Sequence, residues 1–230
     1  MAAEKEHAIG ELNEQPLHAA LKSWYAEPGD ELEKSLDGYV VDIFRGGKII
    51  EIQTGNFSSL KKKLGELIRD YPLTLVYPVA AEKWLYKLPK PSWEEARRRK
   101  SPRRGRVEEV FNELVSFPHL LAEPHFSLEI VLIQEEEVRR FTGRKMWWNN
   151  GWERVERRLL EVLERVHING PQQLGALLPT GLDGEFTTAD LARTMDCSRR
   201  LAQKMAYCLR KTGEIQQVGK RGRALVYQRP

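Results

Sequence analysis

Two short apolar runs joined by a pair of glycines constrain the fold of this chain more than any other feature. Residues 39–44 and 48–53 are rich in β-branched and aromatic side chains, and Gly46-Gly47 lies between them. This pattern predicts a β-hairpin with the glycines in a tight turn. The resulting register brings Asp42 directly opposite Glu51, with Cβ atoms roughly 5 Å apart.

Two carboxylates that face each other across a strand pair repel, and a divalent cation between them removes the repulsion. Asp42 and Glu51 both interrupt strands that are otherwise apolar, a context suited to buried acids. Oxygen ligands of this kind favour Mg²⁺ or Mn²⁺, which is therefore the expected cofactor. Gln53 should share their face because side chains alternate along a strand. The alternative is that both acids lie on a solvated sheet face.

These residues resemble the PD-(D/E)xK nuclease superfamily, whose signature is an acid on one strand and acid-x-Lys on the next, followed by a helix. Here the motif stands as Asp42 and then Glu51-Ile52-Gln53, within an order of helix, hairpin, helix and strand over about residues 17–79. The resemblance implies metal-assisted hydrolysis of phosphodiesters, with Asp42 and Glu51 as metal ligands and Gln53 orienting the attacking water.

Gln53 stands where the superfamily usually has lysine, and in similar proteins that lysine has moved onto the following helix. Lys61, Lys62 and Lys63 occupy that helix, and Lys61, beside its apolar stripe, is the expected catalytic cation. Members of the superfamily often add an acid from the first helical region, and Glu33 or Glu14 would supply it here.

The remaining pattern predicts an α/β domain over residues 11–145, with a restriction-endonuclease-like mixed sheet flanked by helices. Residues 89–106, rich in Pro, Ser and Arg, are expected to form a mobile basic loop. A domain boundary is predicted near residue 151, followed by a helix over Glu153–Val166. The other predicted elements are helices at 17–25, 57–70 and 107–117, and strands at 73–79, 83–88 and 126–133.

Residues 151–230 are predicted to form a second domain that ends in helix, turn, helix and hairpin. This order resembles the winged-helix domains of DNA-binding proteins, whose second helix enters the major groove while the hairpin wing contacts the backbone or the minor groove. A winged helix that binds protein instead is the alternative. The expected DNA contacts are Arg199, Arg200, Gln203 and Lys204 on the helix, Lys220, Arg221 and Arg223 on the wing, and Arg103 and Arg104 on the basic loop.

Charge and composition agree with a nucleic-acid partner and argue against several other classes. Net charge is only +4, but basic residues cluster at 97–100, 103–106 and 220–223. No run of eighteen apolar residues and no leader pattern occurs, so a cytoplasmic protein without membrane contact is expected. Cys197 and Cys208 lack the spacing of a zinc site or a disulfide framework.

The expected function is that of a metal-dependent DNA endonuclease targeted by its winged helix. Two alternatives stay open: a DNA-binding transcriptional regulator whose nuclease-like domain is inactive, and an RNA-processing nuclease. A homodimer is a further option that the sequence pattern leaves undecided.

Overall fold

The computed structural model describes residues 15–90, 95–144, 150–182 and 184–230. Within these ranges the chain is α/β, with helices beside a large mixed sheet. Two compact units divide the chain: unit 1 comprises Met1–Pro28, Ala80–Arg106 and Val131–Glu164, and unit 2 comprises Gly29–Val79, Val107–Ile130 and Arg165–Pro230.

The larger sheet contains the first seven strands. They are β1 (Glu31–Leu36), β2 (Tyr39–Arg45), β3 (Lys48–Ile52), β4 (Leu73–Lys87), β5 (Arg97–Lys100), β6 (Phe126–Phe141) and β7 (Trp152–Ile168). Their order in the sheet is β1-β2-β3-β4-β6-β7, and β5 pairs with β4. A smaller sheet, in the order β8-β10-β9, consists of β8 (Phe186–Thr187), β9 (Gln216–Arg221) and β10 (Ala224–Gln228).

Short helices connect these strands, and the longest one lies near the end of the chain. The α-helices are α1 (Pro16–Tyr25), α2 (Lys61–Leu67), α3 (Phe111–Leu114), α4 (Pro171–Gly175), α5 (Thr188–Thr194) and α6 (Arg199–Lys211). Single 3₁₀ turns lie at Phe57–Leu60, Val107–Val110 and Pro118–Ala122. None of the helices in the described ranges is long and apolar enough to cross a membrane.

The predicted hairpin forms with the predicted register. Gly46 and Gly47 have positive φ values of 53° and 85°, the pair of values that a two-residue type I′ turn needs. Ile43 lies opposite Ile50 in the antiparallel pair of β2 and β3. β4 then runs parallel to β3 after the crossover through α2, so β3 is paired on both sides.

An aromatic stack anchors the segment between β3 and α2. Phe57 is fully buried and stacks on Phe117 at 5.4 Å between ring centroids. Tyr77 of β4 meets the same ring edge-on at 5.1 Å. This packing fixes the start of the helical segment that follows the acids of the hairpin.

Side-chain caps start both of the C-terminal helices α5 and α6. Thr187 and Asp190 form a reciprocal capping box at the start of α5, and Ser198 caps α6. α6 packs against α5 and also against α3, both within unit 2. Ala202 and Ala206, one helical turn apart, are almost completely buried, and their small side chains permit close helix packing.

The predicted helix at Glu153–Val166 is wrong, because these residues belong to strand β7 of the larger sheet. Apolar residues in this segment fit either period, and pairing with the sixteen-residue β6 decides the outcome. The boundary predicted at 151 therefore does not separate the two sheets, since β7 continues to Ile168.

The other differences concern strands. Residues 89–106, expected as a loop, contain β5, which pairs with β4 through Trp84 and Lys100. The two strands predicted at 73–79 and 83–88 are one strand, β4. β1 was not predicted, because three of its six residues are charged and its sequence gives no clear apolar alternation.

Ion pairs between strands hold unit 1 together. Glu135, Glu136 and Glu137 of β6 are all almost fully buried. Lys83 of β4 lies 2.8 Å from Glu135, and Arg157 of β7 donates to the same carboxylate at 2.7 Å. Charged groups buried this deeply are tolerated only when they are paired.

Replacing Phe57 with alanine should destabilise the protein by about 3–5 kcal/mol, because the cavity would lie inside an aromatic stack. Thermal or urea unfolding measures the change. Leu32→Ala is the matched control, since Leu32 is 49% exposed and should change stability by less than about 0.5 kcal/mol. Equal effects of the two substitutions would contradict the packing described.

Candidate functional site

Glu51 is the most deeply placed acid of the hairpin. It lies on β3, between β2 and β4, and is 5% exposed. Lys63 of α2 forms an ion pair with its Oε1 atom and donates a second hydrogen bond, of 2.6 Å, to the carbonyl of Val40. The lysine therefore ties α2 to both strands of the hairpin.

The carboxyl group of Glu51 is poorly stabilised as an anion. Burial, together with the negative charge of Asp42, raises its pKa from the ordinary value of 4.5 to about 7, although Lys63 opposes the shift. Its Oε2 atom is buried and accepts no hydrogen bond from the part of the chain that the structure describes. An uncompensated buried oxygen of this kind is costly unless a cation or a proton binds it.

Asp42 lies beside Glu51 on β2 and is half-buried. Its Oδ2 atom accepts a hydrogen bond of 2.7 Å from the backbone N–H of Ile52, which fixes the carboxylate over β3. Two neighbouring carboxylates, one with a buried oxygen that lacks a donor, fit a hard divalent cation. Among the described residues no cluster of three or more His, Cys, Asp or Glu is arranged to hold a metal, so the donor set here is two carboxylates.

Lys63, and not Lys61, contacts Glu51. Lys61 is exposed to solvent, whereas the side chain of Lys63 is only 15% exposed. Both lysines flank the apolar stripe of α2, which is why the sequence could not decide between them. Glu66, one turn after Lys63, accepts a hydrogen bond from Tyr39 of β2 at 2.6 Å, which also holds α2 against the hairpin.

Gln53 lies directly after β3, and Glu33 lies on β1 and not in a helical region as predicted. The side-chain amide of Gln53 donates to the backbone carbonyls of Gly55 and, at 3.3 Å, of Asn56. Glu33 falls within β1, is exposed and has a positive φ of 51°. Neither side chain completes the donor set, and Glu14 lies outside the described residues.

A hydrogen bond from outside the hairpin supports the loop that leads to α2. The backbone N–H of Phe57 donates to the carboxylate of Glu113 on α3 at 3.2 Å. The next residue towards the N-terminus, Asn112, accepts hydrogen bonds of 2.8 Å and 3.2 Å from Lys204 of α6 through its backbone and side-chain oxygens. Helix α3 therefore contacts the candidate site on one side and the longest helix on the other.

The contact with Asn112 makes Lys204 half-buried, in contrast to its prediction as an exposed DNA contact. Arg199, Arg200 and Gln203 on α6 are exposed, as are Lys220, Arg221 and Arg223 on the β9–β10 hairpin. Tyr207, which the sequence analysis did not select, is 40% exposed on the same helix. Its position one turn after Gln203, on the same exposed face of α6, is the sequence signal that marks Tyr207 as a candidate contact.

A second basic surface lies in unit 1. A cavity of about 520 Å³ there is lined by Leu85, Lys87, Ala96, Arg97, Arg98 and Arg99. Burial and the nearby Arg99, Arg139 and Lys90 lower the pKa of Lys87, as expected where like charges accumulate. Arg103 and Arg104 are exposed, and Arg104 forms an ion pair with Glu82.

The fold defines an α/β protein with a large mixed sheet. An acid pair lies on the β2–β3 hairpin of that sheet, and the C-terminal part of the chain contains helices α5 and α6. The chain belongs to the family described as "Domain of unknown function (DUF8091)", whose model matches residues 15–169. The match ends one residue after the end of β7 at Ile168, so it covers the strands of the larger sheet. The chain is also 30% identical over 225 residues to an uncharacterised protein of Treponema pallidum (strain Nichols), covering 96% of this chain and 87% of that protein. No solved structure matches the chain.

Replacing Glu51 with glutamine should stabilise the metal-free protein relative to wild type, and more so at higher pH. Because the folded-state pKa of about 7 exceeds the ordinary 4.5, the protonated carboxyl stabilises the fold below pH 4.5. That contribution is lost as the pH rises through 7. Glutamine does not titrate, so the difference in unfolding free energy should grow by up to about 3 kcal/mol between pH 4.5 and 8.

Chemical denaturation in EDTA across that pH range measures this difference. Glu123→Gln, at an exposed glutamate, is the control and should show a difference from wild type that varies little with pH. A pH-independent difference for Glu51→Gln would refute the assignment of Glu51 as a buried, destabilised acid.

Proposed function

We propose that this protein is a metal-dependent nuclease that hydrolyses phosphodiester bonds of DNA. The observation that carries the proposal is the buried Oε2 atom of Glu51, which has no hydrogen-bond donor among the described residues and lies in an acid pair with Asp42. Lys63 supplies the cation beside it. The order α1, β1, β2, β3, α2 and β4 also resembles the PD-(D/E)xK core, with the acids on β2 and β3.

Asp42 and Glu51 would hold the metal through their carboxylate oxygens. When bound, the ion would polarise the phosphate and lower the pKa of the attacking water. Glu51 must lose its proton to act as a ligand, so metal affinity should increase as the pH rises through about 7.

Lys63 replaces Lys61 as the proposed catalytic cation. Its ammonium group is held by Glu51 and by the Val40 carbonyl, so it is positioned before any substrate arrives. A fixed positive charge stabilises the negative charge that develops on a phosphate during hydrolysis. Gln53, whose amide is bonded to the following loop, is proposed to shape that loop.

DNA binding is assigned to the C-terminal part of the chain, which we propose to be a winged helix. Supporting features are the α5–turn–α6 pair, the β9–β10 hairpin and the small sheet in which β10 lies between β8 and β9. The exposed residues of α6 and the hairpin would contact the duplex. The basic cavity of unit 1 would add phosphate contacts that carry no sequence information.

One observation favours a second candidate, a DNA-binding regulator without nuclease activity. Gln53 stands at the position of the motif lysine, and its amide is engaged with the Gly55 carbonyl. The two candidates differ in a single outcome, namely whether bound DNA is cut.

Asp42→Ala should abolish DNA cleavage while DNA binding is retained, because ligand chemistry and phosphate contacts use different residues. Lys63→Met should reduce the cleavage rate about 10²- to 10³-fold, whereas Lys61→Met, at an exposed position, should stay within about twofold of wild type. Supercoiled, linear and single-stranded DNA, and RNA, are incubated with Mg²⁺, Mn²⁺ or EDTA.

A metal-induced rise in melting temperature, measured without nucleic acid, separates metal binding by Asp42 from the catalytic role of Lys63. Mn²⁺ should stabilise wild type and Lys63→Met but not Asp42→Ala. Cleavage that survives in Asp42→Ala refutes the active site, DNA binding without any cleavage favours the regulator, and cleavage of RNA alone changes the substrate class.

Removing the three wing cations with Lys220→Ala, Arg221→Ala and Arg223→Ala should weaken duplex binding on all sequences alike. The slope of log affinity against log salt should become shallower by roughly two to three, close to 0.9 for each phosphate that the wing no longer neutralises. A charge-preserving triple variant, Lys220→Arg, Arg221→Lys and Arg223→Lys, is the control and should keep the slope. Unchanged binding by the alanine triple would exclude the wing as a contact.

A further inference from the structure

Strand β7 lies at one end of the larger sheet and, among the described residues, pairs with β6 alone. It is seventeen residues long, and only Ile168 at its end is buried. Val155, Leu160 and Leu163 are each at least 40% exposed. A long edge strand with exposed apolar residues tends to pair with another strand, and monomeric proteins usually protect such an edge.

The charges of β7 are arranged symmetrically about Leu159. If a second copy of the strand is placed antiparallel with Leu159 opposite Leu159, then Arg154 faces Glu164 and Arg157 faces Glu161. In the same register, Val155 faces Leu163. Both pairs of facing charged residues between 154 and 164 are therefore of opposite sign, while Glu156 faces Val162 and Arg158 faces Leu160. Opposite charges and apolar pairs across antiparallel strands are both stabilising.

Neighbouring registers lack this complementarity. A two-fold axis perpendicular to an antiparallel pair passes through a position that faces its own copy. Centring the pair on residue 158 would set Arg158 against itself, and centring it on residue 160 would set Glu156 against Glu164. Like charges directly opposite each other are destabilising. Of the registers centred on residues 158, 159 and 160, the one centred on Leu159 is therefore the one without like-charged pairs.

The neighbouring strand leaves these residues able to pair. Arg157 donates from Nε and Nη2 to Glu135 of β6. Arg154, Glu161 and Glu164 are exposed. A partner strand would therefore meet charged groups that reach solvent.

We propose that two copies of this chain associate through β7, which pairs antiparallel with its own copy about a two-fold axis at Leu159. The occupant of this edge is a second copy because the strand complements itself in both charge and apolar side chains. This interface is isologous, so each favourable pair occurs twice. The proposal does not depend on nuclease activity or on DNA binding.

Charge reversal at one pair tests the register. Arg154→Glu alone should place Glu against Glu164 twice in each dimer, and Glu164→Arg alone should place Arg against Arg154 twice. Each single variant should raise the dimer dissociation constant about tenfold or more. The double variant Arg154→Glu, Glu164→Arg restores both pairs and should return within about threefold of wild type. Sedimentation velocity over a concentration series measures the constants, and circular dichroism checks that each variant is folded.

Disulfide cross-linking provides a second measurement that tolerates weak association. In a Cys197→Ser background, Leu159→Cys should form a covalent dimer on mild oxidation, because the two sulfurs lie opposite each other. Glu164→Cys is the matched control and should not, since its copy lies ten residues away along the strand, about 34 Å. The same two-fold register predicts both results.

A wild-type chain that stays monomeric at about 100 µM would overturn the proposal, since no intersubunit strand pair would then exist. A dimer unaffected by the single reversals, or a folded double variant that does not recover, would overturn the register and with it the edge. Cross-linking of the Glu164→Cys variant but not of the Leu159→Cys variant would do the same.

Discussion

The carboxyl group of Glu51 is buried in the middle of a sheet next to a second acid, Asp42. The cost of burial and the repulsion between the two carboxylates constrain the structure around them. β3 can carry the residue there only because β2 and β4 cover both sides of the strand. Lys63 extends from α2 to neutralise one oxygen, and the other is left without a donor among the described residues. Hydrophobic packing alone would exclude such an acid, and the uncompensated oxygen calls for a proton or for the cation proposed above.

Helix α3 connects this centre to the C-terminal helices through two consecutive residues. Glu113 accepts the Phe57 N–H at the start of the segment that leads to Lys63, and Asn112 accepts hydrogen bonds from Lys204. The sequence suggested two independent domains, whereas these contacts lie in one compact unit. A fragment cut at 151 would also remove β7 from its sheet, so the whole chain is the appropriate material for binding studies.

Local patterns predicted the elements whose signals are short-range. The glycine pair specified the hairpin and its register. The identity of the lysine at the acids could not be predicted, because Lys61 and Lys63 flank the same stripe and only the position of β2 distinguishes them. The helix predicted at Glu153–Val166 was wrong for a similar reason, since β6, the partner of β7, lies outside any local window. The half-buried position of Lys204 likewise depends on its hydrogen bond to Asn112, which is 92 positions away in the sequence.

The ladder of ion pairs in unit 1 gives this part of the molecule its own response to solvent conditions. Lys83, Arg98 and Arg157 stabilise strands whose acids are buried. Salt screens the partly exposed members of such a ladder, while warming lowers the cost of keeping the charges dehydrated. Unit 1 should therefore exchange its amide hydrogens faster in concentrated salt than the aromatic core around Phe57 does, so the two units respond differently to ionic strength and temperature.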